Sequence, residues 1–190
     1  MLSGYSAASV FGYSTARVRA MESKLLSKET VQSIINAKDA GSIVSILFNT
    51  SYRDQMMEFG GIETKPEFID FVLSKSLAIS LSKLVAATPT NYRSITRAII
   101  GRWDLYNVRL AIEAKGKSQG FDSISSYIVD YGIYNATVIK DVLREESIEG
   151  MLSRLLPNSP YAVAIQRTID AYRKNRNVLD AIAELDKVYY

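Results

Sequence analysis

Hydrophobic residues recur along most of this chain at steps of three and four, the period of a helix that buries one face. After Pro66, the positions Leu73, Leu77, Leu81, Leu84 and Val85 lay such a stripe, and Pro89 is placed to stop it. Thr64 followed three residues later by Glu67 has capping-box spacing, with Pro66 suited to the first turn. A second stripe runs through Ile95, Ile99, Trp103, Tyr106 and Leu110, leaving Arg93, Arg97, Arg102, Arg109 and Glu113 mostly to one side. Gly116 is a plausible stop for that helix. Upstream, a first helix is predicted over 7–25. Ser27 is placed to cap a helix through Ala37, and Asp39 another through Phe48. Asn49 to Ser51, Gly60-Gly61, Gly132 and Pro157 to Pro160 read as turns. Alternation of period two is nearly absent, the one weak candidate being Ser126 to Tyr131. The pattern predicts an all-α chain.

The helical pattern also repeats. At an offset of 108, Ile34-Ile35 fall on Val142-Leu143, Ala40 on Ile148, Ile43-Val44 on Met151-Leu152, and Leu47-Phe48 on Leu155-Leu156. With one residue more, Tyr52 meets Tyr161. Each copy reads as two short helices, a small-polar turn and a Tyr opening a further helical stretch. This predicts a first helical subdomain over 1–115 and a second over 116–190. A complete second copy would run past Tyr190, so the expectation is a fragment truncated within the second repeat. With Tyr189 and Tyr190 at its end, such a fragment is expected to self-associate.

Composition narrows the chemistry. The 190 residues contain no Cys and no His. That excludes Cys nucleophiles, disulfides, Cys/His zinc sites and any His acid or base. No phosphate-binding glycine loop is present. Glu145 and Glu146 are adjacent, about 100° apart on a helix, and read as a solvated face rather than an acid–base pair. Glu63, Glu67 and Asp70 sit where negative charge opposes a helix dipole. The expectation is therefore no catalytic set, no metal, no cofactor and no small-molecule substrate. A net charge of +3, from 23 basic and 20 acidic residues, names no partner. No apolar stretch is long enough to span a bilayer, and the first ten residues do not read as a secretory signal.

Two basic groups stand near aromatics: Arg17, Arg19 and Lys24 on the first helix, and Arg93, Arg97, Arg102 and Arg109 around Trp103. Cations interleaved with aromatics also mark single-stranded nucleic-acid sites. Here Trp103 and Tyr106 lie on the apolar stripe, which assigns them to a core, and the arginines to ion pairs or a protein partner. Asp104 and Asn107, three apart, share a face. They are expected to form a buried polar network tying their helix to the first one through Arg17 or Arg19.

Four stretches carry a resemblance. They are Tyr13-Ser14-Thr15-Ala16-Arg17-Val18-Arg19-Ala20-Met21 with Leu25-Leu26-Ser27; the helix pair ending Asn49-Thr50-Ser51-Tyr52; Arg102-Trp103-Asp104-Leu105-Tyr106-Asn107 through Ala114-Lys115; and Glu184-Leu185-Asp186-Lys187-Val188-Tyr189-Tyr190. In this order they resemble the C subunits of archaeal-type and V-type rotary ATPases, the family that includes the d protein of the eukaryotic V-ATPase. The resemblance implies helical subdomains arranged as a funnel about a pseudo-threefold axis. It also implies a non-catalytic socket, peripheral to the membrane on its cytoplasmic face. Its partners there would be the central-stalk subunits and the membrane rotor ring, with no nucleic acid. Arg17, Arg19, Trp103, Asp104, Asn107 and Arg109 match family positions and are the candidate stalk or interdomain contacts. A soluble helical-repeat interaction scaffold remains the alternative.

Overall fold

Polar side chains at helix starts set the outline. In the computed structural model, which describes residues 7–58 and 64–187, Ser27 accepts from the Thr30 amide to begin α2 (Lys28–Ile35). Asp39 accepts from the Ser42 amide at 2.7 Å to begin α3 (Ala40–Phe48). Ahead of them lies α1 (Ala7–Glu22) and behind them α4 (Arg53–Glu58). Then come α5 (Pro66–Ala87) and, after a 3₁₀ turn at Thr90–Tyr92, α6 (Arg93–Ile100). No strand occurs among the described residues, and Ser126 to Tyr131 is irregular. The turn at Gly60-Gly61, Glu63 and the terminal tyrosines lie outside the described residues.

The chain divides into two compact units between Ile100 and Gly101. In the first, α3 packs on α2, α4 and α5, while α1 packs on α5. Its cluster of Val44, Leu47, Met56, Phe68 and Val72 is covered by Leu26, Ile34, Ile43, Phe48, Tyr52 and Ile69. The Ser14 hydroxyl fixes α1 by donating to the Ala87 carbonyl at 2.6 Å.

The second unit holds α7 (Arg102–Gly116), a 3₁₀ turn at Phe121–Ser123, α8 (Ala136–Val142), α9 (Ile148–Leu155), α10 (Ala162–Asn175) and α11 (Val178–Asp186). Its core is one continuous cluster drawing on every helix, with Val108, Ala111, Ile112, Ile139, Met151, Leu152, Ile165 and Leu185 among its members. Asn135 and Ser147 cap α8 and α9, accepting from the Val138 and Gly150 amides.

Several expectations shift. The subdomain boundary was expected at 115, but α7 packs on α8, α9 and α11 and so belongs to the second unit. The stripe predicted from Ile95 to Leu110 does not form one face, because the helix breaks at Gly101. Ile95 and Ile99 are exposed, Trp103 and Tyr106 only half-buried, and the buried row is Leu105, Val108, Ala111 and Ile112. At α5, Lys65 rather than Thr64 holds the N-cap position and makes no side-chain cap, so Pro66 alone sets the start. In that helix Leu81 and Val85 are buried as expected, but Leu73 is exposed, and Phe68 and Val72 do the packing. Gly116 ends α7, yet its φ is not the left-handed one; Ser118 takes that conformation. The glycine serves close approach: a Cβ on it would lie 2.7 Å from Val178 Cγ2 at the start of α11.

Offset by 108, the two units place like structure at like positions. α2 and α8 both begin there, as do α3 and α9, with caps Ser27 and Asn135, then Asp39 and Ser147. At 109, the Thr50 and Ser159 hydroxyls accept from the Tyr52 and Tyr161 amides, and α4 and α10 start one residue later.

Candidate functional site

Helix α7 carries two different faces. On its inner face Asn107 is fully buried, and its side chain acts as a strand partner would for an irregular loop. Nδ2 donates to the carbonyls of Val129 (2.8 Å) and Tyr134 (2.9 Å), and Oδ1 accepts from the Val129 amide (3.1 Å). One turn earlier, Asp104 is 5% exposed. Its Oδ1 accepts from the Tyr134 amide at 2.8 Å and its Oδ2 from the Tyr161 hydroxyl at 3.2 Å. The loop reaches this carboxylate only because Gly132, at φ +86°, has no Cβ; one placed there would stand 2.3 Å from Asp104 Oδ1. Burial pushes the Asp104 carboxyl above its ordinary value, against the hydrogen bonds from Tyr134, Tyr161 and the Ile133 amide, which favour the charged form.

The network continues outward. Tyr134 donates to the Leu155 carbonyl at 2.8 Å and shares a hydrogen bond with the Ser159 hydroxyl, while its ring packs 5.9 Å from that of Tyr161. Burial raises the Tyr134 hydroxyl above its usual value. Asp104 and Asn107 thus join α7 to the 129–134 loop, the end of α9 and the start of α10. With both carboxylate oxygens engaged by these donors, the arrangement positions backbone; it presents no nucleophile.

The outer face of α7 forms a cleft of about 200 Å³ with the end of α11, lined by Arg102, Trp103, Leu105, Tyr106, Arg109 and Asp186 together with Leu185. The Arg102 guanidinium lies 5.4 Å over the Trp103 ring, which meets Tyr106 edge-on at 5.5 Å. Arg109 bridges Glu113 at 3.0 Å and Asp186 at 3.2 Å, and its hydrogen bond to Glu113 raises its affinity for the proton further. Such a surface offers aromatic faces and fixed cations, the composition that marks protein contact sites.

Of the six candidate positions, four stand on α7: Asp104 and Asn107 inside, Trp103 half-buried at the cleft rim, and Arg109 exposed beside it. Arg17 and Arg19 are exposed on α1. The buried network expected at Asp104 and Asn107 is present, and within the second unit its partners are Val129, Tyr134 and Tyr161. Trp103 and Tyr106 line a cleft where a core was expected. Sequence reasoning missed Asp186 and Glu113 as partners of Arg109; Glu113 carried a signal, four residues on along the same helix. It also missed Gly132 as a close-approach residue, having marked it only as a turn.

Elsewhere, Arg154 bridges Asp141 at 2.8 Å and Glu145 at 2.9 Å, while Arg173 and Arg176 both hold Glu149. Among the described residues no cluster of His, Cys, Asp or Glu is arranged to hold a metal ion, and no helix is long and apolar enough to cross a membrane.

Comparison with known proteins places the chain among similar sequences. Residues 14–190 match the family described as ATP synthase (C/AC39) subunit. The C subunit of the A-type ATP synthase of Thermoplasma acidophilum is 20% identical over 186 residues, covering 93% of this chain and 52% of that protein. The protein of the same name from Methanosarcina acetivorans is 24% identical over 180 residues, with coverages of 95% and 48%. That from Thermococcus kodakarensis is 27% identical over 180 residues, with coverages of 95% and 47%. The chain spans about half the length of these curated relatives.

Proposed function

Because the chain belongs to the ATP synthase (C/AC39) subunit family, we propose that it serves as a socket at the base of a rotary ATPase. In this reading it sits on the cytoplasmic face of the membrane rotor ring, peripheral to the bilayer, and receives the foot of the central stalk. It carries out no bond chemistry of its own, and couples rotation to ion-driven ATP synthesis or hydrolysis elsewhere in the machine. The observation that carries the reading is the family match over 14–190.

The physical character of the chain supports it. A torque-bearing connector needs stiffness, and interlocked helices with close-packed cores have low compressibility. The shared offset of caps, turns and helix starts supports reading the two units as successive copies of one helical plan, of the kind a funnel about a pseudo-threefold axis requires. Arg102, Trp103 and Arg109 at the cleft, with Arg17 and Arg19 on α1, are the proposed stalk or interdomain contacts. Asp104 and Asn107 support them from inside by fixing α7.

The test is mass spectrometry of what co-purifies with the tagged native gene product from detergent-solubilised membranes. Recovery with ring, stalk and nucleotide-binding subunits is expected. Recovery alone from the soluble fraction would overturn the reading in favour of a free helical scaffold.

A further inference from the structure

Charge is spread unevenly along the first unit. Between Asp70 and Asp104 no carboxylate occurs, while Lys75, Lys83, Arg93, Arg97 and Arg102 do. That stretch covers most of α5, the 3₁₀ turn and the whole of α6. In the second unit Arg109, Arg144, Arg154, Arg173 and Arg176 each hold a carboxylate. Lys83 and Arg97, both exposed, hold none among the described residues, and Arg93 donates to the Thr88 carbonyl at 3.1 Å. One side of α6 anchors it: the Thr96 hydroxyl meets that of Thr88 at 3.2 Å, and Ile100 is buried. Another side carries Ile95 and Ile99, four apart and 59% and 66% exposed, with Tyr92 of the preceding turn in line at 42%. Arg93 and Arg97, also four apart, take a third side. Side chains as exposed as these isoleucines stand out from the surface and line no groove.

We propose that α6 and the turn before it form a contact site for an anionic lipid surface, with Tyr92, Ile95 and Ile99 entering the headgroup region and Lys83, Arg93 and Arg97 held over the charged plane. It goes beyond the socket reading, which needs no contact with lipid. An amphipathic helix with aliphatic residues on one face and cations on the other is the pattern that lies in a membrane interface. A tyrosine at the edge of the apolar strip suits the same depth, its ring apolar and its hydroxyl polar. The arginines need not stand on the apolar side. A helix is about 10 Å across, close to one Debye length, so charges on its far side still feel the surface potential. The charge pattern favours lipid over protein. A polypeptide laid on these isoleucines, whether from this chain or another, would desolvate cations that have no carboxylate of their own, and would have to bring acids to fixed places around them. Headgroup phosphates are mobile, anionic everywhere in the plane, and leave the cations in water.

The experiment sediments the full native gene product with vesicles of phosphatidylglycerol mixed with phosphatidylcholine, and with vesicles of phosphatidylcholine alone. Binding to the anionic vesicles only, weakening as salt rises, is expected. Lys83→Glu/Arg97→Glu should weaken it by about tenfold or more. Arg167→Glu/Lys174→Glu alters two exposed cations of α10 by the same total charge and should leave it nearly unchanged. Ile95→Ser/Ile99→Ser should also cost about tenfold, with an unaltered circular-dichroism melt because both side chains face solvent. In native membranes, the photo-crosslinker p-benzoyl-phenylalanine at position 99 should then label lipid. No vesicle binding, equal binding to neutral vesicles, equal loss from the α10 pair, or undiminished binding of either α6 variant would overturn the inference. So would a crosslink from position 99 into a polypeptide, this one or another, or none at all. Co-purification of ATPase subunits with the unaltered protein judges the socket reading separately, so the two fail independently.

Discussion

Asp104 titrates from inside the protein. Its folded value lies above the unfolded one of about 3.9, so within that window the native state binds more protons than the unfolded chain. The sign follows: this residue's contribution is complete below the unfolded value and is lost as pH rises through the folded one. Urea midpoints of the wild type should therefore fall across that window relative to Asp104→Asn, whose carbonyl still accepts from the Tyr134 amide and whose amide can donate to the Tyr161 oxygen. A difference curve without slope in that window would contradict the assignment. Asp104→Ala removes the acceptor and leaves the buried Tyr134 amide unpaired, at a cost of about 1–3 kcal/mol. Gly132→Ala meets both the left-handed φ and the carboxylate; the backbone strain alone costs about 1–3 kcal/mol, read as a lowered Tm.

At the scale of elements, what is local was legible and what is long-range was not. Ser27 and Asp39 were readable as caps because a cap bonds a backbone amide three residues away. The face of α7 was misread because Gly101 interrupts the helix and resets the phase, and a stripe carries no sign of which side is wet. The partners of Asn107 lie 22 and 27 residues on, in a loop without periodicity, so the pair's burial was legible while its purpose was not. Helix packing gives its own prediction. Gly116→Ala forces Val178 away and destabilises the α7–α11 contact, and Val178→Ala in the same chain restores part of the loss. A double-mutant cycle should show coupling of about 0.5–3 kcal/mol; additivity would place the two residues out of contact.

For the whole molecule, the two units have separate hydrophobic clusters, and that of the second recruits all five of its helices. Leu152→Ala and Leu47→Ala each empty a buried site and cost about 2–5 kcal/mol in their own unit. Hydrogen exchange should quicken in α2–α4 for Leu47→Ala and leave α8–α10 unchanged; a uniform rise would mean that the chain unfolds as one cooperative body. At the offset where the two units show like structure, the letters differ. Ser27 answers to Asn135, Asp39 to Ser147 and Thr50 to Ser159, each pair differing in residue yet supplying an oxygen to an amide at the same place. What the paired positions share is a chemical role, an oxygen offered to an amide, so the likeness of the two units lies in a grammar of acceptors and turns that letter-by-letter identity does not show.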